Sequence, residues 1–126
     1  MMKANDQLGS GWVFRAGAAH ALAGLSLLVA ALHPLRDALD VHALELVKII
    51  AAVEAINGVA LASLATRLTG VLAPAMIAGG VAASVGMILI IAFTGSHGLA
   101  LDAVVPLGGS AMAIGWLLLM LGIGVK

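Results

Sequence analysis

Three side chains that could do chemistry lie deep inside apolar stretches of this sequence. Glu54 and Asn57 are three positions apart, so on a helix they share a face. At a rise of ~1.5 Å per residue, Glu54 lies ~20 Å and Asn57 ~15 Å from the Arg67 end of their stretch, and His20 lies ~12 Å from Trp12. An acidic group at such depth must be paired, hydrogen-bonded or protonated. We expect His20 and Asn57 to meet across a helix interface.

This polar cluster of Glu54, Asn57 and His20 supports two interpretations. In the functional one, it is a buried site for a proton, a lipid headgroup or a quinone-like ligand, because ionisable groups inside a membrane usually serve a function. In the structural one, the three side chains bond to each other or to a partner subunit and only fix the register of the helices.

The other titratable residues form no catalytic or metal-binding pattern. His33, His42 and His97 come from different segments without the close spacing of metal ligands, so we expect ordinary loop histidines. No nucleophile–base pair and no His-Glu-x-x-His motif is present, and the chain has no cysteine. We therefore expect no enzymatic activity, no metal and no cofactor. Glu45 and Lys48, three positions apart, are expected to form a pair near a helix end.

The composition is that of a membrane protein. The chain has 126 residues, of which 63% are hydrophobic and 10% are charged, whereas soluble domains carry about 25% charged residues. Six basic and six acidic residues cannot cover the surface of a soluble domain of this length. A net charge of zero and 3% aromatic residues give no argument for binding nucleic acid.

Four apolar blocks have the length of a membrane span, which is roughly 20 residues. They cover about 12–35, 43–66, 71–93 and 103–125. The blocks lack the alternation of barrel strands, so they predict helices, and their short links make successive helices antiparallel. The fold class is thus all-α, an up-down bundle of four transmembrane helices forming a single domain over residues 1–126. Pro34 is expected to end the first helix, Asp40 to cap the second, and Pro106 to lie in the first turn of the fourth.

The basic residues predict the orientation of the chain. Lys3, Arg15, Arg67 and Lys126 fall on one side of a four-span topology. Because basic residues are enriched on the cytoplasmic side, both termini are expected to be cytoplasmic. A composition rich in alanine and glycine with few lysines favours the bacterial inner membrane, with the mitochondrial inner membrane as the alternative.

Small residues recur every three or four positions in the third and fourth helices. The packing positions selected are Gly79, Ala83 and Gly86, with Gly109, Ala113 and Gly115. Small residues at such spacing let helix backbones approach closely in lipid. We expect the two helices to pack on each other within the chain. The third helix has two small-residue rows, Ala75, Gly79 and Ala83 on one and Ala78, Ala82 and Gly86 on the next. The alternative is that one of these rows contacts another subunit.

The C-terminal third of the chain resembles a known family. Val105–Gly109 reads Val-Pro-Leu-Gly-Gly and is followed by Gly115-Trp116, and Phe93–Ser96 reads Phe-Thr-Gly-Ser. These runs are similar to the Thr-Pro-x-Gly-Gly, Gly-Trp and Phe-Ser-Gly-Ser signatures of a domain-of-unknown-function family. That family is typified by the bacterial inner-membrane YgdD proteins and has mitochondrial relatives. The motif residues are Pro106, Gly108, Gly109, Gly115 and Trp116.

The resemblance covers most of the chain in the order of its features, but only Phe93–Trp116 is specific. Val105 stands where the family usually has Thr. Val53–Asn57 reads Val-Glu-Ala-Ile-Asn where the family has Tyr-Gln-x-x-His, which makes this chain a divergent member. The resemblance implies four spans and supplies no established activity.

Two classes of function are compatible with these residues. The first is a small non-catalytic accessory or scaffold subunit that packs within a larger membrane complex or against its own copies. The alternative is a binder or carrier of a proton, lipid or quinone-like ligand through Glu54, Asn57 and His20. The expected partners are membrane lipid and either another protein or a second copy of the chain, and not nucleic acid. A cavity lined by Glu54 would favour the alternative.

Overall fold

The residues that the structure describes fold into four long α-helices. The computed structural model describes residues 4–126, with side chains described from residue 10 onward, and Lys3 lies outside the described residues. The helices are α1 (Ala4–Leu32), α2 (Val41–Leu64), α3 (Leu72–Thr94) and α4 (Leu99–Met120), and a short 3-10 turn, Ala65–Arg67, follows α2. Each α-helix contains a stretch long and apolar enough to cross a membrane, which in α1 begins at Ser10. Over residues 4–126, the expected all-helical fold with four helices of spanning length is confirmed.

Local residue chemistry sets most helix ends. α1 ends at Leu32, two residues before Pro34, whose ring cannot continue a helix. α2 begins after Asp40, whose Oδ1 accepts a hydrogen bond from the Ala43 amide at 2.9 Å, as the sequence predicts for a helix cap. α3 ends at Thr94 and is capped by Gly95, which adopts the left-handed backbone conformation (φ 64°) that only glycine enters easily.

The fourth helix starts earlier than the apolar block does. It begins at Leu99 and takes in Asp102, whose amide donates to the Gly98 carbonyl at 2.8 Å. An acidic residue in the first turn is favoured by the helix dipole, so the polar residue does not mark a loop. Pro106 consequently lies inside the helix rather than in its first turn, which corrects its predicted place.

The same helix ends at Met120, well before Val125. Gly122 (φ 76°) lets the chain reverse, and the Ile123 amide donates to the Leu118 carbonyl at 2.9 Å while the Gly122 amide donates to Leu119 at 3.0 Å. These two bonds are those of a Schellman motif, which satisfies the last helical carbonyls. The remaining residues then pair with the α2–α3 link, where the Lys126 amide donates to Arg67 at 3.0 Å.

The helices are arranged as two tight hairpins. α1 packs along α2 and α3 packs along α4, while α2 and α3 join the two pairs and α1 touches α3 only briefly. The shared core includes Val13, Leu61, Ile77 and Val81, each at most 2% exposed. Large apolar side chains also cover the outside, for example Leu22, which is 68% exposed. Such a surface favours a lipid environment over water.

Glycines bring the backbones of the first hairpin together. A Cβ at Gly17 would meet the backbone of Gly58 and Ala62, and a Cβ at Gly24 would overlap the backbone of Ala55. Gly58 faces α1 in return, since a Cβ there would overlap the Ala21 nitrogen. The two α1 glycines are seven residues apart, so they lie on one stripe of the helix two turns from each other.

The second hairpin repeats this arrangement with Gly108 and Gly115 on α4. A Cβ at Gly108 would meet the Gly80 carbonyl, and one at Gly115 would meet Ile77. The expected packing of α3 on α4 within the chain therefore holds at Gly115.

The other five packing positions make no such contact between α3 and α4. They are Gly79, Ala83, Gly86, Gly109 and Ala113. Gly79, Gly86 and Gly109 have open space where a Cβ would project, and Ala83 and Ala113 are exposed. Small residues occur on more than one face of each helix, and the α3–α4 contact uses only the face of Gly80, Gly108 and Gly115.

Candidate functional site

A histidine and a glutamate meet between α1 and α2. Nδ1 of His20 lies 2.7 Å from Oε1 of Glu54, and the two side chains are 14% and 8% exposed. His20 lies between Gly17 and Gly24, where α1 approaches α2 most closely. Glu54 is one turn before Gly58 and therefore shares its α1-facing row. The close glycine packing thus places the imidazole within hydrogen-bonding distance of the carboxyl group.

Asn57 turns away from His20 and toward α4. Its Nδ2 donates to the Val53 carbonyl at 2.8 Å, and its Oδ1 accepts from Nε1 of Trp116 at 2.8 Å. The predicted contact between His20 and Asn57 is therefore wrong, because His20 contacts Glu54 instead. Trp116 joins the polar cluster, although the sequence indicates it only as part of a motif. A signal for this role exists in its chemistry, since a buried indole N–H needs an acceptor.

The second oxygen of Glu54 has no partner in the chain. Among the residues whose side chains are described, 10–126, Oε2 of Glu54 is the one buried side-chain nitrogen or oxygen without a hydrogen bond. Glu54 as a whole is 6% exposed. A buried acceptor left unsatisfied costs about 1–3 kcal/mol, so a purely structural carboxyl group would normally use both oxygens.

Glu54 lines an open groove of about 550 Å³ between α1 and α3. Volumes of this size accommodate small organic ligands. The walls are formed mainly by small or apolar side chains, which are Ala23, Ser26, Leu27 and Ala30 of α1 and Ala82, Val85, Gly86 and Leu89 of α3. Small side chains on both helices, such as Ala23 and Ala82, leave this space open where α1 and α3 make few contacts.

The groove offers one carboxyl group and one hydroxyl group to a bound molecule, from Glu54 and Ser26. Neither lysine nor arginine is among its lining residues. This arrangement can hold an apolar body and form a hydrogen bond to one polar group at its base.

The histidines near the helix ends lie away from this groove. His97 is 3.4 Å from Oδ1 of Asp102 on an exposed surface, and His42 and His97 line a separate cavity of about 190 Å³ with Asp40. In the described part of the chain, no three histidine, aspartate or glutamate side chains are placed to hold a metal ion. Glu45 and Lys48 form the expected pair at 3.1 Å.

The motif residues of α4 have separate structural roles. Gly108 and Gly115 pack against α3, and Trp116 bonds to Asn57. Comparison of the chain with protein-family models, with curated proteins and with solved structures finds no match. The resemblance to the YgdD family therefore stays a prediction from these motifs.

Proposed function

We propose that this protein is a small, non-catalytic, multi-pass membrane protein that binds a membrane-soluble amphiphile in the groove between α1 and α3. One observation carries the proposal: Glu54 lines the groove, and its Oε2 is buried without a partner. A carboxyl group that only fixed helix register would gain by using both oxygens within the chain. A ligand that bonds to Oε2 removes this cost, and its apolar part fills space between the helices.

The proposal extends to the membrane and the orientation. We propose the bacterial inner membrane, with both termini in the cytoplasm. The support is the distribution of basic residues, since Arg15, Arg67 and Lys126 fall at the same end of the helices as the termini.

Filling the groove tests the proposal. Gly86 lines the groove and has open space where a side chain would project, so Gly86→Leu should occupy the ligand volume without disturbing helix packing. Gly79→Leu is the matched control, because Gly79 lies on the same helix, is equally open and is outside the groove lining. The probe is a long-chain alcohol carrying a diazirine, photolysed with the purified protein in phosphatidylcholine nanodiscs. Mass spectrometry then maps the labelled peptides.

We expect the wild type and Gly79→Leu to be labelled on the groove walls. Gly86→Leu should lower this labelling about tenfold, since overfilling a packed site costs roughly 1–3 kcal/mol. Equal labelling of the groove walls in wild type and Gly86→Leu would contradict the proposal.

A second candidate function is assembly with a second copy of the chain or with a larger complex. The observation that favours it is a row of small residues on α3, Ala75, Gly79 and Ala83, all exposed. Small residues at four-residue spacing allow close helix contact in lipid, so this row suits a neighbouring helix. In this role, the protein would act as an accessory or scaffold subunit.

The same pair of variants tests this assembly. If the row is an interface, Gly79→Leu should abolish self-association in liposomes, measured by counting photobleaching steps of labelled protein at low density. Gly86→Leu should leave self-association intact. A wild-type protein that is monomeric under these conditions would remove the homo-oligomer from consideration.

A further inference from the structure

We infer that the groove selects an uncharged amphiphile whose polar group is a hydroxyl, such as a long-chain alcohol or a diacylglycerol. This inference rests on the proposed function and adds the chemistry of the ligand. It follows from the depth of Glu54, from the charges that face the groove and from the contact of His20 with Oε1, which leaves Oε2 without a partner.

The depth of the carboxyl group excludes ordinary phospholipid headgroups. Glu54 is the middle residue of the apolar stretch Val41–Arg67, with 13 residues on either side. At ~1.5 Å per residue it lies ~20 Å from both ends of that stretch, at the centre of a bilayer. An ionised headgroup drawn to that depth would lose its hydration, which is far more costly than the transfer of a neutral hydroxyl.

The walls of the groove exclude an anionic ligand. Its lining includes no lysine or arginine, and Glu54 is the one lining residue that can ionise. A phosphate or a carboxylate would meet no counter-charge there and would face a carboxyl group. Anionic lipids therefore gain no binding free energy at this site beyond that of their acyl-chain contacts.

The histidine makes a cationic ligand equally unsuitable. Nδ1 of His20 lies 2.7 Å from Oε1 of Glu54, so the carboxyl group already has a nitrogen partner within the chain. A charged amine drawn to this depth would also lose its hydration, at a far higher cost than a neutral hydroxyl.

Because His20 occupies Oε1, Oε2 is the carboxyl oxygen left for a ligand. An uncharged ligand bonds best to this oxygen when it carries a hydrogen-bond donor of its own. A hydroxyl group carries one, whereas esters and ethers have no proton to donate. The hydroxyl of an amphiphile that can sink to mid-depth thus matches the one unsatisfied buried side-chain atom among residues 10–126.

A competition experiment on the wild-type protein tests this chemistry. The diazirine-bearing long-chain alcohol labels the groove in phosphatidylcholine nanodiscs, and unlabelled lipids compete with it. The competitors are a diacylglycerol, the same diacylglycerol with its hydroxyl methylated, phosphatidic acid with the same acyl chains, and an unlabelled long-chain alcohol. They differ in the polar group while the two acyl chains of the first three stay constant.

We expect the diacylglycerol to compete about tenfold better than its methyl ether, a ratio that corresponds to about 1.4 kcal/mol. Phosphatidic acid should compete no better than the ether. The ratio of diacylglycerol to long-chain alcohol identifies which hydroxyl lipid fits the groove better, and competition by either supports the inference. The double variant His20→Leu/Glu54→Leu should lose the preference for hydroxyl over ether, because neither member of the pair remains.

The outcomes separate this inference from the proposed function. If the ether competes as well as the diacylglycerol, or if phosphatidic acid competes best, the hydroxyl inference is wrong and the groove remains a binding site. If the groove walls are labelled no more than in Gly86→Leu, both are wrong. The wild-type competition distinguishes these outcomes even if the double variant does not fold.

Discussion

Among substitutions that add one methyl group to α2, Gly58→Ala is expected to destabilise the protein most. The new Cβ would overlap the Ala21 nitrogen and the Gly17 carbonyl, both of them backbone atoms that no rotamer change can move. The helices α1 and α2 would have to separate along their whole contact. Overpacking usually costs about 1–3 kcal/mol, and a rigid backbone neighbour places this variant at or above the upper end.

The loss should extend to the site. Separation of α1 from α2 carries His20 away from Glu54 and displaces the α1 wall of the groove, so labelling by the diazirine-bearing alcohol should fall together with stability. Unfolding by sodium dodecyl sulfate in mixed micelles, followed by circular dichroism, measures the free energy of unfolding. Groove labelling in nanodiscs gives the second readout.

Gly79→Ala is the control for this substitution. Gly79 is also in a helix, but its Cβ would meet nothing within 4 Å. Replacing an exposed helical glycine by alanine stabilises a helix by about 0.5–1 kcal/mol. A Gly58→Ala protein as stable as Gly79→Ala would mean that α1 and α2 are not in backbone contact at this point.

The sequence predicts the helices well because each has a local cause. The apolar blocks exceed the length of a membrane span, and Pro34 and Asp40 act within one turn of the helix ends they mark. The early start of α4 is not predicted, because Asp102 next to a glycine-rich link suggests a loop. The first turn of a helix nevertheless favours an acidic side chain.

The site is predictable only in part. Counting residues along a helix gives the depth of a side chain in the membrane but not the neighbouring helix that it faces. By depth alone, His20 and Asn57 are expected to meet. Gly58 decides otherwise, since it faces α1 and brings Glu54, one turn earlier, onto the same face. Asn57 lies about 100° away from Gly58 around the helix and bonds to Trp116.

The glycines at the helix contacts of both hairpins explain why the sequence predicts the site only in part. Gly17 and Gly24 are not among the predicted packing residues, although their seven-residue spacing equals that of Gly108 and Gly115. A seven-residue stripe is typical of helices that cross at about 20°, which is common in membrane bundles. The groove could not be predicted at all, since its volume depends on how far α1 and α3 diverge and not on any single residue.

A double-mutant cycle on His20 and Glu54 is expected to give the largest coupling between two side chains in the protein. His20→Leu leaves the carboxyl group with neither oxygen bonded, and Glu54→Leu leaves a buried imidazole without its partner. The double variant removes both polar groups and should therefore be much more stable than the sum of the single effects predicts. Hydrogen bonds inside membrane proteins couple by up to about 2 kcal/mol, and this short, buried pair should lie near that limit.

The exposed pair of Glu45 and Lys48 provides the matched comparison. It joins an acidic and a basic side chain across 3.1 Å, but these side chains are 61% and 35% exposed. Its cycle, Glu45→Leu with Lys48→Leu, should give a coupling of about 0.5 kcal/mol or less. The same sodium dodecyl sulfate titration measures both cycles. Equal couplings for the two pairs would mean that His20 and Glu54 are hydrated, which is incompatible with a dry groove that keeps Oε2 for a ligand.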